Sequence, residues 1–314
     1  MREPVEASTP RSRKRTAYAA ATRTFDMDKL TAPAERVETF IARWLEARPL
    51  PENLRRAIRY ALLAPGKRLR PILTLHAAEA VGGRADDALA PAAAVEMIHA
   101  FSLVHDDLPA MDDDDLRRGR PTLHKQAGEA MAILAGDAML GLAVEVVLEQ
   151  VVPPDRAAAV CRELILGCNG MIAGQVYDTL PEPEAPEDAA ARLLRIHRHK
   201  TGALIRASCR MGALCGGAGD AQLERITRYG DAIGLMYQVI DDLLDVTQTT
   251  EHLGKTAGKD VDQCKLTYPA LYGVEGSRNE AERLREEALA ALDMMGAEAD
   301  PLRQLCDYLA VRTR

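Results

Sequence analysis

"EMIHAFSLVHDDLPAMDDDDLRRGRPT", residues 96–122, decides how the chain reads. Its first part is apolar at helical spacing and yields abruptly to Asp106-Asp107. Pro109 follows, where a missing N–H and a ring clash oppose continuation of a helix. Four more aspartates, Asp112 to Asp115, then give way at once to Arg117, Arg118 and Arg120. A solvated loop needs no such order of charges. A site that holds divalent ions against an anionic substrate does.

A second stretch, "YQVIDDLLDVTQ" at 237–248, repeats the theme. Asp241 and Asp245 are four residues apart, so a helix puts them on one face, with Asp242 beside it. The apolar residues between them, Val239, Ile240, Leu243 and Leu244, imply that the rest of this helix is buried. Carboxylates in such surroundings repel one another and lose hydration unless a cation compensates. Hard divalent ions with oxygen ligands are the natural partners. A polar face turned to solvent is the plainer alternative for either stretch alone; two apolar helices each carrying an Asp-Asp pair are harder to dismiss together. In the first motif Asp112 is six residues beyond Asp106, so a bulge or loose turn is needed to bring it back. Asp113, Asp114 and Asp115 read as solvent-facing, or as partners of nearby cations.

Outward from these motifs the pattern is helical. The 314 residues are 47% hydrophobic and 28% charged but only 4% aromatic, and Ala and Leu abound, a bias toward helix over strand. Val37, Phe40, Ile41, Trp44 and Leu45 recur at spacings of three and four. Helices are expected over 88–108, 128–151, 155–178, 189–215, 221–248, 279–293 and 301–312, with breaks at Pro153-Pro154, 181–188, 216–220 and 253–260. No alternating strand pattern is visible. The expectation is an all-α, single-domain bundle of about ten or more helices over 26–314, preceded by a basic, Ser/Thr-rich arm at 1–25. The arm reads as disordered; a transit peptide is the alternative, opposed by Glu3 and Glu6. No stretch reaches the ~18 uninterrupted apolar residues of a membrane span, and 130–148 reads as a buried core helix. A net charge of −7 argues against a nucleic-acid partner. The six cysteines lack ligand spacing and read as small apolar residues of a cytoplasmic protein.

Cations stand where an anionic substrate would need them. "GKRLRP" at 66–71 offers Lys67, Arg68 and Arg70, with Gly66 allowing close backbone approach. "HRHKTG" at 197–202 offers Lys200 and Thr201, and "LGKTAGKD" at 253–260 adds Lys255 and Lys259. Arg suits bidentate phosphate binding and Lys a movable charge. The glycine order does not match a P-loop.

Taken in order, "GKRLRP", the 96–122 motif, "AGQVYD", "IHRHKTGALI", "YQVIDDLLDV" and "KLTYPALYG" resemble the short-chain trans-isoprenyl diphosphate synthases, most nearly those of bacterial farnesyl type. The resemblance runs from about residue 30 onward. It implies the isoprenoid synthase fold, helices around a central prenyl-chain cavity, and a homodimer. It also implies Mg²⁺-dependent joining of isopentenyl diphosphate to dimethylallyl and geranyl diphosphate, with three ions once substrate is bound and Mn²⁺ able to substitute. Asp106, Asp112 and Asp241 are then the metal ligands, supported by Asp107, Asp242 and Asp245. Arg117, Lys200, Thr201, Gln238 and Lys255 hold the allylic diphosphate; Gly66, Lys67, Arg70, His99 and Arg118 hold isopentenyl diphosphate. The expelled diphosphate takes the last proton, so no side-chain base is implied. Pro65 departs from the family, which commonly has Gly there.

Phe101 lies five residues before Asp106, ~7.5 Å deeper along a helix. With Ser102 beside it, an aromatic floor there would stop growth early. The resemblance implies that a bulky residue at this position, with the two-residue insertion between Asp107 and Asp112, goes with a farnesyl (C15) product. Geranylgeranyl (C20) or geranyl (C10) diphosphate synthesis is the alternative, and a terpene cyclase a more distant one. A non-catalytic partner subunit is the non-enzyme alternative, opposed by two intact acidic motifs.

Overall fold

The computed structural model describes residues 27–180, 188–247 and 266–312. The 1–25 arm, Lys255, Lys259, Cys264 and most of the acidic stretch 181–188 lie outside the described residues.

Helix α4 (Leu89–Asp106) is the axis of the bundle. Its Ala-rich sequence keeps the cylinder thin, so that α1 (Met27–Glu46), α2 (Glu52–Leu62), α3 (Leu69–Ala80), α6 (Glu129–Gln150) and α7 (Pro154–Thr179) all reach it. Buried Glu96 on α4 is the exception among apolar neighbours, and it is paired: Arg68 donates to it at 2.7 Å and to Glu38 of α1 at 2.7 Å. An unpaired acid there would be costly, and the pairing ties α1, the approach to α3 and α4 together.

Two apolar clusters result. One gathers α1, α2, α4, α6 and α7 around Met97, Ile98, Phe101 and Met139. The other joins α3 to α9 (Ala203–Cys215), α10 (Asp220–Thr247), α11 (Tyr268–Ala291) and α12 (Asp300–Val311) around Tyr229, Ile233 and Met236. Between them run α8 (Ala189–His197) and a π-helical turn, Arg198–Gly202. The Asp188 side chain caps α8 by accepting from Ala191 N at 2.8 Å, and Thr267 caps α11 through Ala270 N at 3.3 Å, as N-terminal orphan donors require. Four of the five described cysteines are buried, and Cys161 is half-buried.

The all-α expectation is met, with three differences. A hairpin of two-residue strands, β1 (Leu116–Arg117) and β2 (Arg120–Pro121), follows the first acidic motif, too short to leave an alternating pattern; the short α5 (Leu123–Ala127) comes next. The segment expected as one helix over 189–215 is interrupted by the π turn, and α11 begins at Tyr268 with a kink at Gly273. The third difference is α6, expected as a buried core helix. Only 44% of its most apolar window is buried, and Ile133, Leu134 and Leu148 are exposed. By length and composition alone, α6, α7 and the 85–106 segment are apolar enough to cross a membrane; each is packed into the bundle along at least one face.

Candidate active site

The end of α4 builds the first half of the site. Pro109 stops the helix, and the chain folds back in a tight turn: Met111 N donates to Leu108 O at 2.9 Å, and Asp112 N donates to Asp106 O at 2.8 Å. The loose turn that the six-residue spacing demanded is therefore present, and it returns Asp112 to Asp106. Burial, with Asp112 and Asp107 nearby, pushes the Asp106 carboxyl up to about 6, although Lys200 and Arg117 pull the other way. Asp107 points to the opposite side of α4. It is buried and accepts from Arg117 Nε at 2.6 Å, and burial outweighs that guanidinium in raising its carboxyl. Asp115 pairs with Lys125 at 2.7 Å, and Asp114 lies 3.9 Å from Arg117. These outer aspartates are partners of nearby cations.

Asp106 faces a cavity of about 510 Å³ whose mouth also carries Arg70, His99, Lys200 and Thr201. Its depth is apolar, with Phe101, Met171, Ile172 and Val176 in the wall and Ser102 beside them. Phe101 is 7% exposed and meets the His105 ring edge-on, centroids 5.7 Å apart. A smaller cavity of about 50 Å³ lies between α2, α4 and the hairpin, with His99, Arg117 and Arg118 in its wall. His99 is thus shared by both. Burial and the surrounding Arg70, Arg118, Arg117 and Arg68 hold its imidazole well below the ordinary range, so it is neutral at pH 7.

The π turn supplies Lys200 and Thr201. A turn with one extra residue widens the helix locally and re-aims its side chains. It seats against α7 at Gly174, where a Cβ would fall 2.0 Å from Lys200 N. Lys200 then reaches Asp178 of α7 at 2.5 Å, and Thr201 donates to Gln238 Oε1 at 2.9 Å. Gln238 donates in turn to Asp242 Oδ1 at 3.0 Å.

The second acidic motif divides its labour. Asp242 is 3% exposed, and its oxygens also take Tyr268 N and His197 Nε2, each at 3.0 Å. Expected among the catalytic groups, it is instead a buried junction of α8, α10 and α11. Asp245 is buried as well. Asp241 alone of the three remains partly exposed, and it accepts from Arg312. It also acts electrostatically on Arg70, a cation at the cavity mouth.

The "GKRLRP" cations separate similarly. Arg68 is withdrawn into its ion pairs with Glu38 and Glu96, and it acts on His99 only through its field. Lys67 is exposed, and Arg70 projects into the cavity. Gly66 lies against the Arg118 guanidinium, which donates to Pro65 O at 2.8 Å; a Cβ on Gly66 would meet that guanidinium at 2.3 Å. Lys255 lies outside the described residues. Among the described residues no three acidic, His or Cys side chains close into a ready metal cage, so Asp106, Asp112 and Asp241 are not preassembled. That donor set still fits Mg²⁺, which takes one or two carboxylates and completes its octahedron with phosphate oxygens and water.

Residues 51–300 match the polyprenyl synthetase family model. The chain belongs to that family of trans-isoprenyl diphosphate synthases. The synthase is 50% identical over 271 residues to geranylgeranyl pyrophosphate synthase 11, chloroplastic, of Arabidopsis thaliana, covering 83% of this chain and 75% of that protein. Its fold superposes on geranylgeranyl pyrophosphate synthetase of Pyrococcus horikoshii with a TM-score of 0.82 at 28% identity, over 90% and 97% of the two chains. An FPP/GFPP synthase of Zymomonas mobilis gives 0.76 at 34%, over 90% and 99%. The synthase is a trans-prenyltransferase with the isoprenoid synthase fold. Three residues given no role in the sequence reading also line or brace its site: His197 and Asp178, which sit inside quoted motifs, and Arg312. Asp178 closes the quoted "AGQVYD"; Arg312 carries no motif.

Proposed function

We propose that this synthase joins isopentenyl diphosphate to allylic diphosphates and carries the chain to geranylgeranyl diphosphate (C20). The observation that carries the reaction class is the mouth of the 510 Å³ cavity, where Asp106, Arg70, Lys200 and Thr201 stand above an apolar interior. A charged rim over an oily shaft suits a diphosphate with a growing hydrocarbon tail. The C20 assignment rests on the names of relatives at about half identity, which favour it over the C15 product expected from Phe101.

When bound at the acidic motifs, Mg²⁺ would neutralise the charge that develops on the departing diphosphate. Asp106 and Asp112 would hold it on one side and Asp241 on the other. Lys200 and Arg117 would exchange Asp178 and Asp107 for oxygens of the allylic diphosphate, with Thr201, Gln238 and Lys255 completing its grip. Neutral His99, with Arg70, Arg118, Lys67 and the Gly66 backbone, would orient isopentenyl diphosphate. The apolar wall excludes water, so the allylic cation meets the alkene and not hydroxide.

A second reading, farnesyl diphosphate (C15), is favoured by one observation: the Phe101 ring, braced by His105, stands in the cavity wall. We also propose a homodimer, supported by Ile133, Leu134 and Leu148 on α6 and Leu166 on α7, all exposed, since such an apolar surface favours a partner.

The test is product analysis with Mg²⁺, isopentenyl diphosphate and dimethylallyl, geranyl or farnesyl diphosphate. C20 product supports the proposal. A stop at C15 that Phe101→Ala extends supports the second reading, and no condensation with any primer overturns both.

A further inference from the structure

Arg312 follows α12 and belongs to no recognised motif, yet it is a buried cation set directly against the second acidic motif. Its side chain is 2% exposed, against 34% for Asp241, to which its Nη2 donates. The same nitrogen donates to Tyr237 O at 3.1 Å, and the guanidinium lies 4.0 Å from the centre of the Tyr237 ring. Helix α12 that delivers it is itself anchored to α10, where Tyr229 donates to Leu302 O at 2.8 Å.

We propose that Arg312 is the positioning residue of the second acidic motif, fixing the Asp241 carboxylate for a divalent cation. This rests on the reading of Asp241 as a metal ligand. A carboxylate on an open helix face can rotate among rotamers, and each must be given up on binding an ion. Arg312 engages Oδ1 and leaves the second oxygen for the cation, with the neighbouring carboxylate, Asp242, already committed to His197, Gln238 and Tyr268 N.

The alternative is a competitor, a guanidinium that must leave before a metal can enter. The anchoring speaks against it. Among the described residues, Arg312 also holds Tyr237 through a hydrogen bond to its carbonyl and through its ring, neither of which involves Asp241, so the guanidinium has an anchor of its own. Partners that hold a ligating carboxylate from behind typically contribute 10–100-fold to metal affinity. The planar fork and the stacking on Tyr237 make Arg the apt choice, while Lys retains the charge and one donor.

The experiment measures Mn²⁺ binding by electron paramagnetic resonance in the presence of inorganic diphosphate. It compares the wild type, Arg312→Gln, Arg312→Lys, Asp241→Asn, and Arg312→Gln combined with Asp241→Asn. Arg312→Gln should weaken Mn²⁺ binding by about 10–100-fold, Arg312→Lys should recover most of it, and Asp241→Asn should abolish the difference. In turnover, the Mg²⁺ concentration for half-maximal rate should rise while kcat at saturating Mg²⁺ changes less. Thermal midpoints without metal check that each variant folds; should Arg312→Gln not fold, Arg312→Met takes its place in the same comparison. Unchanged or tighter Mn²⁺ binding in Arg312→Gln, or an equal loss with and without Asp241, overturns the proposal. A wild type that binds no Mn²⁺ with diphosphate overturns the metal reading beneath it as well.

Discussion

The two acidic motifs look alike as text and are built in opposite ways. The first sits where α4 ends, and backbone hydrogen bonds of a post-helical turn return Asp112 to Asp106. Its outer carboxylates are met by cations from the adjoining hairpin and α5, Arg117 and Lys125. The second lies within α10, where the helix supplies no turn to gather it, so its carboxylates are organised by groups from distant elements: the His197 and Arg312 side chains and the backbone N–H of Tyr268. One motif is shaped by the chain's own local geometry, and the other by tertiary packing. Damage should therefore stay local at the first and spread at the second.

The sharpest way to break that contrast is Asp242→Ala. It strands His197, Gln238 and Tyr268 N in a buried setting, each unmet group costing about 1–3 kcal/mol. We expect a loss of about 3–4 kcal/mol in denaturant unfolding, together with impaired activity through Gln238 and Thr201. A variant of native stability would show that the second motif is as self-contained as the first.

Next comes Asp106→Asn in metal-free protein. The folded carboxyl lies near 6 against an unfolded value of 3.8. Between those values the native state binds a proton that the unfolded chain has released, so wild-type stability falls as pH rises from about 4 to 6 and the penalty is complete above that. Asn removes it. The variant should be more stable than wild type by about 1–3 kcal/mol at pH 8, with the gap closing by pH 4, while prenyl transfer collapses. Equal stabilities across a pH series of thermal melts in EDTA would contradict this.

The smallest effect belongs to Asp115→Ala. Its exposed pair with Lys125 is screened by water, so the thermal midpoint should barely move, and activity should stay near that of wild type. A larger change in either would mean that the hairpin rim is part of the site.

The same division explains what could be read in advance. Helix positions followed from apolar spacing, and Asp106 with Asp112 followed from a six-residue gap and a proline. The roles of Asp242 and Arg68 did not follow: Asp242 and His197 are 45 residues apart, and Arg68 meets its acids 28 and 30 residues away. Nothing in "IDDLLD" says which aspartate will face inward to a histidine. Arg312 was invisible for the same reason, since its meaning depends on α12 packing beside α10. The exposed stripe on α6 was misread because composition reports how apolar a helix is and not which neighbour covers it.

The π turn at 198–202 has a consequence for how this chain tolerates change. An ordinary α-helix closes each turn in 3.6 residues, and the wide turn there takes one more without putting α8 and α9 out of phase. Losing one residue would leave both flanks in place and the segment an ordinary helix, with better local hydrogen bonding. Lys200 and Thr201 would then lose the aim that the wide turn gives them. A deletion that perfects the helix would thus dismantle the mouth of the cavity, making this a turn whose length matters more than the regularity of its conformation.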